Sequence, residues 1–216
     1  MRLDEEYCLS EYADLGRLGD NEKVHIVRNQ VNGVIGVRKY VALDLEEIYL
    51  FLKENPNAYI PKIYECIQTD TNLIVIEEYL SGKNLEEMNF SEKDAADIII
   101  CLCDALYPLH HAKMPVICRD LKAENVILTN EGEVKLVDFD IARIYQPGKS
   151  KDTVMMGTQG YAAPEQFGFG QTDARTDIYA MGVLLNYMLV REFPMEKLTG
   201  GKFRTIVLKC IKINPE

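Results

Sequence analysis

Residues 118–140 read CRDLKAENVILTNEGEVKLVDFD. They set Asp120, Asn125 and Asp138 at spacings that suit one metal-phosphate site. Two aliphatic, largely β-branched segments, Val126 to Leu128 and Val134 to Val137, are separated by Asn130-Glu131-Gly132-Glu133, a pattern that predicts a hairpin. A ribbon of that length folds Asp138 back beside Asn125 and brings two oxygen ligands for a hard cation next to Asp120. Such geometry suits phosphoryl transfer.

CRDLKAEN followed by VDFD resembles the catalytic and metal-binding loops of the eukaryotic-type protein kinases, where HRDLKPEN precedes DFG. Downstream, GTQGYAAPE (Gly157 to Glu165) resembles the end of a kinase activation segment, and TDIYAMG (Thr176 to Gly182) the start of the large helix beneath it. Any one of these alone is weak; their order makes the signal specific. The resemblance implies an α+β, bilobal kinase-like fold: a small antiparallel sheet with one helix in residues 1–79, a hinge at 80–85, and a mostly helical lobe in 86–216.

The same resemblance assigns roles. Asp120 accepts or orients the proton of a substrate hydroxyl, Lys122 offsets charge on the transferring phosphate, and Asn125 and Asp138 hold Mg2+ beside ATP. Thr158 bridges Asp120 and Lys122, and Asp177 braces the loop backbone. Lys122 together with GTQGY before APE is similar to the Ser/Thr kinases, which implies a protein partner carrying Ser or Thr. Arg119 is the family's hook for a phosphate on the activation segment, with Ser150 or Thr153 as the modified residue.

Composition agrees with a folded enzyme. The chain has 216 residues, 47% of them hydrophobic, enough for one large domain or two packed lobes. Its 24 Lys and Arg against 34 Asp and Glu leave a formal charge of −10, which argues against a nucleic-acid or anionic-membrane footprint. The 6 cysteines form no C-x-x-C pair and no ligand spacing with the 3 histidines, so reduced thiols are expected in place of disulfides or a zinc site. An acidic start without an apolar core argues against a secretory signal, and no apolar run approaches the roughly 18 residues of a membrane span. A compact cytoplasmic kinase, bacterial in style, is the expectation.

Upstream, residues 12–41 read as a small antiparallel sheet: Tyr12 to Leu18, Val24 to Arg28, then Val34 to Val41 after a tight turn at Asn32-Gly33. By resemblance the first turn is the phosphate-covering glycine loop, of which Gly19 and Val24 remain. Lys39 is the lysine that grips the α- and β-phosphates, with Val37 under the adenine; a one-residue slip would put Arg38 there instead. Residues 44–54 are helical in pattern, and Glu47 is the expected partner of Lys39, with Glu46 as the alternative. The hinge EEYLSGKNL offers Glu78 and Leu80 backbone to adenine and Asn84 to the ribose. Glu77 guards the back of the pocket, and a buried carboxylate there needs a partner.

Ser91 opens a long core helix that Pro108 is expected to kink or end, and His110 and His111 read as structural. Three departures surround the site: Cys118 for His, Ala123 for Pro, and Asp140 for the glycine of DFG. Cys118 reads as a buried, inert thiol. Glu165 normally pairs with a late arginine, and KCIKINPE stops where that residue is expected, so the lobe reads as short or truncated, with Arg175 or Arg191 as substitutes. Two other readings stand beside an active kinase. One is a pseudokinase that docks or binds nucleotide; the other is a small-molecule phosphotransferase, which does not account for GTQGYAAPE.

Overall fold

The computed structural model describes residues 3–19, 21–148, 156–168 and 170–212. The chain divides into two compact units, Met1–Ser81 and Gly82–Glu216. The architecture is α+β.

The first unit opens with a short helix, α1 (Leu3–Ser10), not foreseen from the sequence. A five-stranded antiparallel sheet follows, built from β1 (Tyr12–Arg17), β2 (Val24–Asn29), β3 (Ile35–Val41), β4 (Ile63–Gln68) and β5 (Leu73–Glu78) in the order β1-β2-β3-β5-β4. Strand β5, LIVIEE, lies between β3 and β4 and is buried over its first five residues, which is why it reads as an unbroken apolar run. Helix α2 (Glu46–Glu54) packs against β4 and buries Ile48, Tyr49 and Leu52. The connection at Asn32-Gly33 is longer than the tight turn expected. Asn29 Oδ1 accepts the amides of Val31 and Asn32, and Gly33 takes a left-handed φ of 76°. An Asx side chain thus stands in for backbone pairing and closes a wider loop.

The second unit is mainly helical. Helix α3 (Glu92–His110) starts with a reciprocal capping box between Ser91 and Asp94. It runs two residues past Pro108, since the missing N-H falls in the last turn, where breaking one bond stops little. Its buried stripe is Ala95, Ile98, Leu102, Ala105, Leu106 and Leu109, while Ile100 and Tyr107 face solvent, so the helix is amphipathic. Short strands β6 (Gly82–Asn84), β8 (Val126–Thr129) and β9 (Val134–Leu136) form one sheet, and β7 (Val116–Ile117) pairs with β10 (Arg143–Ile144). Helix α4 (Ala174–Val190) packs against α5 (Gly201–Cys210). A Cβ at Gly182 would collide with Cys210 Cβ, so the two helices approach at the glycine. No described helix is long and apolar enough to cross a membrane.

Candidate active site

The expected hairpin forms. Strands β8 and β9 pair with Val126 opposite Leu136 and Leu128 opposite Val134, and Val137 N donates to Asn125 O at 2.9 Å. The ladder therefore delivers Asp138 beside Asn125, as the spacing requires. Asn125 turns its amide toward the catalytic loop, donating from Nδ2 to Asp120 O at 2.9 Å and to Asp120 Oδ2 at 3.0 Å.

Two further groups hold Asp120. Lys122 Nζ lies 2.8 Å from Asp120 Oδ2, and Thr158 Oγ1 donates to Asp120 Oδ1 at 2.6 Å. The triangle closes where Lys122 Nζ donates to Thr158 Oγ1 at 3.0 Å. Asp120 and Lys122 side chains remain 13% and 20% exposed, so the carboxylate is fixed in orientation yet open to a reactant.

Two non-glycine residues beside it hold left-handed backbone: Arg119 and Asp138, both at φ 68°. Each costs of order 1–3 kcal/mol and persists where neighbours over-determine it. At Arg119 those neighbours are visible. Its N-H donates to Asp177 Oδ1 at 2.9 Å, and its carbonyl accepts from Gln166 Nε2 at 2.8 Å. Asp177, wholly buried, also accepts Cys118 N at 2.9 Å and pairs with His110 Nε2 at 2.7 Å. His110 is thus a support for the loop, and His111 stacks on Tyr107. Burial, with the Asp177 charge nearby, pushes the Cys118 thiol well above the ordinary range, which makes it inert.

Gln166 went unread in the sequence. Beyond Arg119 it binds Met156 O and receives Ala163 N, tying the segment around Thr158 to the catalytic loop. Gly157 is needed because a Cβ there would enter Gln166 Nε2 and Ala162 Cβ. Asn186 was missed as well: fully buried, it donates to Glu192 O and Lys197 O and accepts Thr199 N, holding the short connection before α5. A buried amide that staples loops has no local sequence signature. Glu165 Oε1 accepts from Thr176 Oγ1 at 2.7 Å, Arg175 forks onto Asp173, and Arg191 donates to the carbonyls of Leu85, Glu86 and Met88.

Asn125 donates through its nitrogen, so its oxygen is the atom left to face a cation, and Asp138 supplies a carboxylate on the adjacent backbone. Two hard oxygens, with phosphate and water completing the shell, fit magnesium. Asp138 Oδ1 accepts Asp140 N at 3.1 Å, so the unusual Asp140 orients this ligand through its backbone while its side chain is exposed.

In the first unit, β2 and β3 set Val24 opposite Lys39 and Ile26 opposite Val37, and β3 and β5 set Val37 opposite Glu77 and Lys39 opposite Val75. Cross-strand partners and alternate residues share a face, so Val24, Val37, Lys39 and Glu77 lie together. Arg38 lies on the other face, paired with Asp14 and over the Tyr40 ring. Lys39 Nζ lies 2.6 Å from Glu77 Oε1, while of the two expected partners on α2 Glu47 is exposed and Glu46 half-buried. The reason is the phase of α2. Its buried face is Ile48, Tyr49 and Leu52, which turns Glu47 outward and leaves Leu50 40% exposed, whereas Leu50 was expected inside.

Gly19 holds a left-handed φ of 68° after β1, and Gly16, unremarked in the sequence, sits at φ 128° beside a register shift in β1 with its amide on Asp14. Glu78 joins β5 to Lys62 through both backbone and carboxylate, and Leu80 follows it, half-buried. Asn84, in the second unit, caps the turn Leu85–Glu87 by accepting Glu87 N at 3.3 Å, so its side-chain oxygen is engaged locally. Ser150 and Thr153 lie outside the described residues.

The model of the protein kinase domain matches residues 27–214. The chain belongs to the protein kinase family. It is 37% identical over 56% of its length to a probable serine/threonine-protein kinase, PknB, of Corynebacterium glutamicum. It is 33% identical over 81% of its length to the probable serine/threonine-protein kinase PBL8 of Arabidopsis thaliana. To protein kinase C zeta type of Oryctolagus cuniculus it is 29% identical over 92% of its length. These alignments span 20%, 44% and 37% of the respective relatives. The family match begins at Val27, inside β2, so Gly19 and Val24 stand outside it.

Proposed function

We propose that this kinase transfers the γ-phosphate of ATP to Ser or Thr hydroxyls of protein substrates. The observation that carries the reading is the closed triangle of Asp120, Lys122 and Thr158, backed by Asn125. In the reaction the substrate oxygen bonds to the γ-phosphorus, its proton passes to Asp120, and the bond to the β-γ bridging oxygen breaks to release ADP. Thr158 and Asn125 aim the carboxylate, and the Lys122 ammonium offsets charge on the transferring group. Magnesium, when held by Asn125 and Asp138, supplies charge compensation on the phosphates. Lys39 grips the α- and β-phosphates, Val24 and Val37 cover the base, Gly19 belongs to the turn over the phosphates, and Glu78, Leu80 and Asn84 contribute the base and ribose contacts.

Phosphorylation of Ser150 or Thr153, read by Arg119, is the proposed control. Intact mass after incubation with ATP should rise by one or more phosphates mapping to residues 145–158; unchanged mass there discards the control step alone. A cytoplasmic location goes with the reading. For the activity itself, labelled γ-phosphate should appear on a generic basic protein as phosphoserine or phosphothreonine. A docking or nucleotide-binding module without transfer is the second reading, favoured by the loss of two loop glycines and by Asp140. It expects MgATP binding with no label transferred.

A further inference from the structure

We infer that the second unit carries a docking groove for a basic and aliphatic segment of the protein acceptor, set between the first turns of α3 and the tip of the β8-β9 hairpin. The inference rests on the kinase reading for what the docked protein undergoes, and on the second unit alone for the groove.

The groove has a volume of about 340 Å3, near the lower end of the range for ligand pockets, roughly 300–1,000 Å3. Its floor is apolar: Phe90, Ile98, Leu128 and Val134. Leu128 and Val134 stand opposite one another in the β8-β9 ladder and share a face, and strand alternation sends Lys135 to the other one. On α3, Asp94, Asp97, Ile98 and Cys101 recur at three- and four-residue spacing, so they line the groove as one stripe.

The charge of the rim selects the occupant. Asp97 is exposed and makes no hydrogen bond or ion pair with any described residue, and the same holds for Glu131 at the hairpin tip. The Ser91 hydroxyl and amide hold the Asp94 carboxyl below its ordinary range, so it too is ionised. Across residues 83–104 six Asp or Glu stand against two lysines, Lys83 and Lys93, while Lys135 is buried and pairs with Glu133. An apolar floor beneath carboxylates without cationic partners fits a segment in which Lys or Arg flank aliphatic side chains. Exposed ion pairs are individually weak, so the floor supplies the affinity and the carboxylates select the sign of charge.

Position gives the groove its use. Strands β8 and β9 run from this tip back to Asn125 and Asp138, and Leu128 lies about 10 Å from Asn125 along the extended strand. Asp120, Lys122 and Thr158 do not line the groove, so a protein seated there leaves them uncovered. Docking keeps the acceptor's hydroxyl-bearing segment at high effective concentration near Asp120. It therefore lowers KM for the acceptor and leaves kcat unchanged.

The test uses the full chain and a short fluorescent peptide of Lys, Arg and Leu without Ser, Thr or Tyr; its two controls replace the cations by Glu or the leucines by Gly. Anisotropy should show the parent peptide binding at least tenfold more tightly than either control, and more weakly as NaCl rises. Asp97→Lys should lose at least fivefold with an unchanged thermal melt, and Glu131→Lys serves should D97K fail to fold. Bound peptide should slow maleimide labelling of Cys101 several-fold and leave Cys103, about 200° away around α3, as in the free protein. Joining the peptide to a Ser-containing acceptor should lower its KM at least fivefold with wild type and less than twofold with D97K. The unjoined acceptor should be phosphorylated equally by both.

Equal binding of the parent and Glu peptides overturns the inference, and so does undiminished affinity in folded D97K and E131K or undiminished labelling of Cys101 at saturating peptide. If phosphate is transferred but joining the peptide leaves KM unchanged, the docking role fails while transfer stands. If the peptide binds and protects Cys101 but no acceptor is phosphorylated, the groove stands and the transfer reading alone fails.

Discussion

Asp120 accepts Thr158 on one oxygen and meets both Asn125 and Lys122 on the other, so its orientation is set by groups from two segments of the chain. Thr158 is the link whose loss is easiest to read. Thr158→Val keeps the shape and removes the hydroxyl, breaking two hydrogen bonds to charged groups, each worth about 1.5–3 kcal/mol. Steady-state kinetics should show kcat lowered at least tenfold, with Thr158→Ser close to wild type. Cys118 makes a second single-residue prediction. With its thiol raised by burial and by Asp177, iodoacetamide at pH 8 should leave it unmodified in the folded protein and label it after unfolding, which peptide mapping resolves.

Elements are held to one another by a few buried polar groups. Asp177, on α4, accepts two backbone amides of the catalytic loop and pairs with His110 on α3. Asp177→Ala strands those donors at roughly 1–3 kcal/mol each, and a Tm fall on the order of 5–10 °C is expected by calorimetry. Gly182→Ala should cost about 1–3 kcal/mol by overpacking α4 against α5, seen as a lower midpoint in urea.

These elements differ in how far the sequence disclosed them. The β8-β9 hairpin was legible because its aliphatic, largely β-branched segments and its Asn-Glu-Gly-Glu turn are local, and so was the capped start of α3. Lys39 was legible from strand alternation. Its partner was not. Glu46 and Glu47 are adjacent acids on a short helix, and the phase that buries Ile48 and Tyr49 depends on how α2 packs against β4. Glu77 lies next to Lys39 only once β3 and β5 are in register, a contact 38 residues apart in the chain. Gln166 and Asn186 escaped for the same reason: each satisfies backbone groups of loops distant in sequence.

On the scale of the whole molecule, the chain divides into a sheet unit and a helical unit, and Asp120, Lys122, Asn125, Asp138 and Thr158 all belong to the second. A formal charge of −10 favours encounter with basic acceptors. Transfer to such a protein should therefore slow as NaCl rises from about 50 to 500 mM, as the Debye length shrinks from roughly 14 to 4 Å. A neutral peptide acceptor should show less change. The central claim, transfer through Asp120, is tested most directly by following labelled γ-phosphate from ATP into a basic protein with wild type and Asp120→Asn side by side. The account predicts label in Ser or Thr with the wild type and a loss of a thousandfold or more in the variant. Equal incorporation by the two proteins would contradict it.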